Sequence, residues 1–380
     1  MTHRRRVLAA LNHEEPDRVP KDLGQGPATG INTVAYMRLV EHLGLQDQDA
    51  DSAVNPFARA TSPSEAVLRR FDIDCRALPV STIGNQMLDE NTYGDEWGSL
   101  RARAEGGQFI YAGGPFQRKE PTLAELDAYD WPDPRDPARI EGLKDTAVRL
   151  RQENEYATVL YLPYTGMEIC QRVRGFAEFL EDLAANPVLA EAILEHVMEV
   201  VIGIAEFVLD EVGEYIDVVG FGDDLGVQNN LMLGLEMYRR QIKPFHRRMV
   251  EAIKSRTDAK VLMHNDGAIF PLIPDLIDVG VDCINPVQVS AHGMDSERLK
   301  AEFGADMCFW GAIDTHFALP RGTVEEVRNE VRKRIRDLAP GGGYVVGSVH
   351  TIQAEVTAEN IVAMFDTVEE FGRYPNLTTV

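Results

Sequence analysis

Apolar runs recur through the second part of the chain, at 157–163, 216–222, 260–264, 282–287, 307–313 and 344–350. Helical patterns separate them, over 174–185, 188–212, 235–255, 268–279, 295–303 and 323–338, and a last helix is expected near 358–371. Strand alternating with helix predicts a parallel sheet, because parallel neighbours need a crossover and a helix supplies it. Two further candidate strands, 19–23 and 72–78, bring the count to eight, the number of a (β/α)8 TIM barrel. A doubly wound open sheet competes with that reading, but no G-x-G-x-x-G turn follows an early strand.

The first part of the chain adds to this frame. Residues 2–11 read as a short basic helix capped by Thr2 and broken by Pro16 and Pro20, and a second helix is expected near 34–42. The string SPSE at 62–65 has the form of a capping box with Pro63 at the first helical position, which predicts a helix to about Arg70. Two alternating runs within 93–116 flank Glu105-Gly106-Gly107 like the arms of a β-hairpin. The Pro/Asp-rich stretch 121–137 reads as an excursion, since neither side of it holds a complete fold. The expectation is one domain over residues 1–380, a barrel with an N-terminal helical extension and a β-hairpin excursion.

Charge narrows the partners. A net charge of -23 argues against nucleic acid and anionic membrane surfaces. Acidic residues Glu14, Glu15 and Asp17 stand where a signal peptide needs its apolar segment, and no apolar run reaches spanning length, so a cytoplasmic location is expected. Cys75, Cys170, Cys283 and Cys308 lack C-x-x-C spacing, and a disulfide framework is not expected.

In a barrel, ligands meet the polar groups that follow the carboxyl ends of strands. Here those ends carry Asp22, Tyr164/Glu168, Asp223/Asp224/Gln228, His264/Asp266, Asn285/Gln288, Asp314/His316 and Ser348/His350. His264-x-Asp266 can offer a nitrogen and an oxygen to one cation, with His350 as third ligand and a fourth position left open, the pattern of catalytic zinc. Equally, the two histidines can be hydrogen-bonded groups that orient carboxylates or substrate without metal. Asp223 and Asp224 are adjacent, so repulsion in a dry cleft can raise one pKa and make a general acid, or Asp224 can simply cap its turn. Glu168, if buried beside Met167, Ile169 and Cys170, needs a cation or donor; a salt bridge to Arg172 or Arg174 is the plainer alternative. We take His264, Asp224, Glu168 and His350 as candidate catalytic residues, and Asp223, Gln228, Asn285 and Tyr164 as candidate substrate contacts.

Several long strings, in order, carry a resemblance to a known family: MTHRRRVLAALNHEEPDRVP, RGFAEFLEDLAANP, GDDLGVQ, YRRQIKPFHRRM, HNDGAIFPLIPDLIDVGVDCINPVQ, FWGAIDTHFALPRGT and GGGYVVGSVHTIQAEVTAENI. The chain resembles the uroporphyrinogen decarboxylase superfamily, in the branch of decarboxylase-like proteins that includes cobalamin-dependent methyltransferases. The resemblance implies a (β/α)8 barrel with its cleft at the carboxyl ends. True decarboxylases carry an Arg motif after the first strand; here it reads KDLGQGPATG with no Arg. Their Tyr in the segment matching LPYTGMEIC falls on Ile169 or Cys170. The methyltransferases use His-x-Cys where this chain has His264-Asn265-Asp266, and a later Cys near His350. Both cysteines are replaced, which argues against thiolate–zinc chemistry but leaves a His/Asp/His set able to bind a harder cation or protonate a leaving group.

The resemblance therefore implies methyl transfer, of the demethylase type, between a small methyl donor or acceptor and a corrinoid. No corrinoid-binding segment is evident, so the cofactor would come on a separate corrinoid protein, with one divalent metal, zinc first, as a further expectation. The alternatives are a cofactor-independent decarboxylase or lyase acting on a non-porphyrin or porphyrin acid with Asp223 or Asp224 as anchor, and a non-catalytic barrel that binds a corrinoid or tetrapyrrole. Relatives often pair through barrel faces, so a homodimer is also expected.

Overall fold

Seven parallel strands follow one another around one sheet in their sequence order: β1 (Cys75–Pro79), β2 (Ala157–Tyr161), β3 (Val218–Gly222), β4 (Lys260–His264), β5 (Cys283–Asn285), β6 (Cys308–Ile313) and β7 (Tyr344–Ser348). The computed structural model describes the chain apart from Pro27 and residues 46–53, 56–59, 105–108, 118–119, 154, 164 and 376–380. The Glu105-Gly106-Gly107 turn and Tyr164 thus lie outside the described residues. Strands β3, β6 and β7 are buried along their whole length, which is why they are written as continuous apolar runs rather than alternating ones.

The expected strand 19–23 does not form. Pro20 has no N–H to give a ladder, and the N–H of Lys21 goes to the Asp74 side chain (2.7 Å) instead of to a neighbouring strand. The segment still bridges both edges of the sheet. Asp22 donates to the carbonyl of Val346 in β7 (2.8 Å), Val346 donates to Pro20 (2.9 Å), and Asp74, just before β1, donates to Lys21 (3.0 Å). The fold is TIM-barrel-like, with strands at seven positions and this bridging segment between the first and the last.

Two apolar layers result. The inner one joins Cys75, Val159, Leu262, Cys283, Cys308 and Trp310 to Val7 and Leu11 of the helix His3–Leu11. That helix plugs the amino ends of the strands: Arg4 donates to the carbonyl of Glu155 (2.7 Å) and Gly343 to that of Ala10 (2.8 Å). The outer layer packs Val219, Val261, Ile284, Phe309 and Val346 against the helices. All four cysteines are buried free thiols, as expected for a chain without a disulfide framework. No described helix is long and apolar enough to cross a membrane.

Several helices depart from their expected form. Gly175, at φ 101°, splits the stretch near 174–185 into Gly166–Arg174 and Phe176–Ala185, a turn that only glycine takes without strain. Tyr238–Ile242 is a π-helical turn ahead of Lys243–Lys254. The SPSE capping box is not made. Glu65 gives its carboxylate to Arg76 (2.9 Å) and Arg69 (2.7 Å), and the helix starts at Glu65 with no side-chain cap from Ser64. The excursion is a four-stranded antiparallel sheet, Gln86–Met87, Thr92–Gly94, Leu100–Arg103 and Phe109–Gly113. It is seated on the helix Gly166–Arg174, where Phe116 donates to the carbonyl of Val173 (2.9 Å).

Asp74 is the knot at the closure. Its fully buried carboxylate meets Arg6 (2.6 Å), Arg18 (2.7 Å), His3 (2.9 Å) and the Lys21 N–H. Burial opposes its charge, but His3, Arg18 and Arg6 outweigh burial and hold its pKa below the usual carboxylate range. A carboxyl depressed in the folded state stabilises fully above its unfolded pKa of about 3.9, and that contribution fades as pH falls toward the folded value. Asp74→Asn, which takes one carboxylate from Arg6 and Arg18 but leaves them Asp17 and Asp72, is expected to cost about 1.5–3 kcal/mol in urea unfolding at pH 7. The gap between variant and parent should narrow as pH drops below about 4.

Candidate active site

The register of the sheet sets one level across the mouth: Gly222 of β3 pairs with His264 of β4, which pairs with Asn285 of β5. His264 Nδ1 lies 2.7 Å from Asn285 Oδ1, while the Asn285 amide nitrogen donates to the Trp310 carbonyl (3.3 Å). With its nitrogen so committed, Asn285 presents oxygen to the ring, which puts the proton on Nδ1 and leaves Nε2 toward the mouth. Nε2 is 3.6 Å from Asp266 Oδ2, and His350 Nε2 reaches the same oxygen from the far side at 3.9 Å. One donor atom each from His264, Asp266 and His350 lies within 4.8 Å of the others.

The donor set fits a divalent cation. Two imidazole nitrogens and one carboxylate oxygen suit tetrahedral zinc, whose ligands at about 2.0–2.2 Å stand only slightly closer together than these atoms do. The Asn285 bond behind His264 is the outer support that ligating histidines need. Enclosure works against charge on His264, but Asp266, then Asp224, outweigh it and raise its pKa. For His350 enclosure prevails, with Asp266 opposing and His264 assisting, and its pKa falls. Asp266, despite partial burial, is lowered by His264 and then His350.

The two neighbouring aspartates separate. Asp223 points inward, 3% exposed; its Oδ1 accepts from the Met167 N–H (2.8 Å) and its Oδ2 faces His246 Nε2 (2.9 Å), which Tyr238 backs through Nδ1 (3.2 Å). It fastens the helix Gly166–Arg174 to the end of β3 and has both oxygens engaged. Asp224 turns to the mouth, accepts from the Asp266 N–H (3.0 Å) and lies 4.0 Å from His264 Nε2. Enclosure raises its pKa against the pull of His264 and that N–H.

Glu168 is exposed, not buried among its apolar neighbours, and pairs with Arg172; Arg174 turns inward to Asp182 (2.6 Å). Gln228 is held in the loop network, donating to the Ser290 carbonyl (2.5 Å) and accepting from Gln288 (3.1 Å), whose oxygen takes the Gly267 N–H (2.8 Å). A cavity of about 870 Å³ beside Arg4, Arg151 and Arg256 lies at the other end of the strands. Its cations are committed there: Arg4 and Arg151 to Asp217, Arg256 to Asp210 and Glu206.

One mouth residue escaped the pattern reading. Tyr161 ends β2 and lies over two glycines of β3: a methyl group at Gly220 would stand 2.5 Å from Tyr161 Cδ2, and one at Gly222 would stand 2.7 Å from its hydroxyl and 3.0 Å from the Cβ of His264. Burial, then the charges of Asp224 and Glu168, push its pKa well up, so it stays a neutral phenol. The GFG string of β3, which empties the space beside one strand, was the available signal. Binding of zinc or cobalt(II), measured by chelator competition, is expected to weaken about 10–100-fold in Asn285→Ala. Unchanged affinity in His264→Ala would place the ion elsewhere.

The sequence profile described as uroporphyrinogen decarboxylase (URO-D) matches residues 106–371, well over half of the chain. Methylated-thiol–coenzyme M methyltransferase of Methanosarcina mazei is 26% identical over 139 residues, 37% of this chain and 34% of that protein. The chain thus aligns with about a third of that relative's length. Among solved structures, a methyltransferase from Methanosarcina mazei superposes with a TM-score of 0.66 at 17% identity, covering 98% of this chain and 99% of the other. At that identity the likeness is one of fold.

Proposed function

The chain belongs to the uroporphyrinogen decarboxylase family, and on that premise we propose that it is a demethylase-type methyltransferase, moving a methyl group between a small substrate and a corrinoid carried by a separate protein. The observation that carries this reading is the His264–Asp266–His350 cluster at the mouth. In such a reaction the bond between methyl carbon and heteroatom breaks, the carbon passes to the corrinoid, and the heteroatom keeps the electron pair. The protein's task is to lower the basicity of that leaving atom.

A divalent cation bound by His264, Asp266 and His350 would supply Lewis-acid polarisation there, and the corrinoid, when present, would supply the nucleophile. The chain's own residues prepare the site. Asn285 orients His264 so that Nε2 faces the cluster, Asp224 fixes the Asp266 backbone, and the neutral Tyr161 hydroxyl stands on the same side as a hydrogen-bond donor. Exposed Val227 and Phe317, on the loops after β3 and β6, give the rim an apolar fringe that a protein-borne cofactor can cover. The carboxy-lyase alternative asks Asp223 or Asp224 to anchor an acid, and Asp223 has both oxygens engaged.

Methyl transfer to a corrinoid partner, followed by the corrinoid's absorbance, is expected to fall about 10²–10⁴-fold in His264→Ala. Full activity in that variant would sink the assignment. Carbon dioxide release with no corrinoid present would replace it with the lyase reading, and tight corrinoid or tetrapyrrole binding without turnover would replace it with a binding barrel.

A further inference from the structure

Each fully buried arginine in this acidic protein has a carboxylate: Arg6 and Arg18 share Asp74, Arg76 has Glu65, Arg139 has Glu96, Arg174 has Asp182 and Arg334 has Glu330. Arg101, only half-buried, has no such carboxylate among the described residues. It lies on the strand Leu100–Arg103 of the excursion sheet, paired across with Tyr93 on one side and Tyr111 on the other, so the three side chains share a face. Its Nε is shielded from solvent and makes no hydrogen bond, and among the described residues no ion pair or hydrogen bond reaches its guanidinium. A half-buried guanidinium with its donors unspent costs stability unless an anion arrives, so its natural complement is a planar, bidentate one.

Arg172 stands beside it. After burial, the charge of Arg172 is the largest influence on Arg101, and the two repel. They are brought together by a close seam: Gly114, after the last strand of the excursion sheet, is so near the helix Gly166–Arg174 that an added methyl group would lie 2.0 Å from the Arg172 carbonyl oxygen. The carboxylates in reach do not complete the pair. Glu168 bonds Arg172 from within its own helix, and Asp95 spends its Oδ1 on the N–H groups of Trp97 (3.0 Å) and Ser99 (2.9 Å) in its own turn. The helix that carries Arg172 starts at the mouth, where its Met167 N–H donates to Asp223 just after β3 (2.8 Å).

We infer that Arg101 and Arg172 form a carboxylate-binding pair on the rim, and that the substrate is a small methylated acid held there by its carboxylate while its methylated heteroatom reaches the His264–Asp266–His350 cluster. This deepens the methyl-transfer reading and rests on it for the role of the cluster.

The test uses the full chain and defined probes. Acetate, malonate, benzoate and 4-methoxybenzoate are titrated by calorimetry, with benzamide and methoxybenzene as uncharged counterparts and inorganic phosphate as a competing anion. At least one carboxylate is expected to bind where its uncharged counterpart does not, about tenfold or more tightly to the parent than to Arg101→Gln or Arg172→Gln. Arg101→Lys should recover part of the loss. Retained circular dichroism and retained zinc binding at His264 show that the variants are folded. The inference is overturned if no carboxylate binds, if binding is unchanged in both glutamine variants, or if phosphate binds as tightly as the best carboxylate and is lost with it. Carboxylate binding without methyl transfer would count against the proposed function alone. Methyl transfer from an uncharged donor, with kcat/KM unaffected in Arg101→Gln, would count against the carboxylate pair alone.

Discussion

A charge buried where the ring of strands is thinnest holds this molecule in shape. Asp74 sits at the amino end of β1, where a proline-containing segment takes the place of an eighth strand, and it gathers Arg6, Arg18, His3 and the Lys21 N–H onto one carboxylate. An unpaired edge on either side would expose a row of N–H and C=O groups. Main-chain bonds from Asp22 and Asp74 and the Asp74 side chain satisfy the groups at that gap. Everything at the mouth follows, because the pairing of Gly222, His264 and Asn285 is a property of a sheet whose ends are tied.

The acidic residues divide by which end of the strands they occupy. Below, Asp74, Asp217 and Asp282 precede β1, β3 and β5, and each is matched to cations or backbone N–H groups. Above, Asp224 and Asp266 face histidines and a shared opening, with no Lys or Arg ion pair among the described residues. Carboxylates that are already neutralised stabilise; those left to imidazoles can bind and react.

Much of this was legible in the chain. Strand 260–264 and the long helix ending at Val212 were readable because buried parallel strands and periodic helices leave strong patterns. His264, Asp266 and His350 could be named as a set because barrel topology sends strand ends to one place. What failed had local causes. Pro20 withheld a ladder donor from the short stretch 19–23, Gly175 cut one helix with a single positive φ, and Glu65 left its expected cap for Arg76. Asp223 and Asp224 look alike in sequence, and only their opposite orientations tell a fastening from a mouth residue. Tyr161 was hidden inside a strand, and Arg101 in an excursion with no counterpart in the barrel pattern.

The seam at Gly114 separates two kinds of change. On one side stand strand-end groups whose spacing is fixed by the pairing of seven parallel strands; on the other, a small sheet that meets the barrel at the helix Gly166–Arg174. Residues on that sheet can be exchanged without disturbing the register that places His264. Change on the sheet can therefore proceed while the strand ends stay as they were, and the limit falls on the glycine itself, where any side chain would collide with the Arg172 carbonyl.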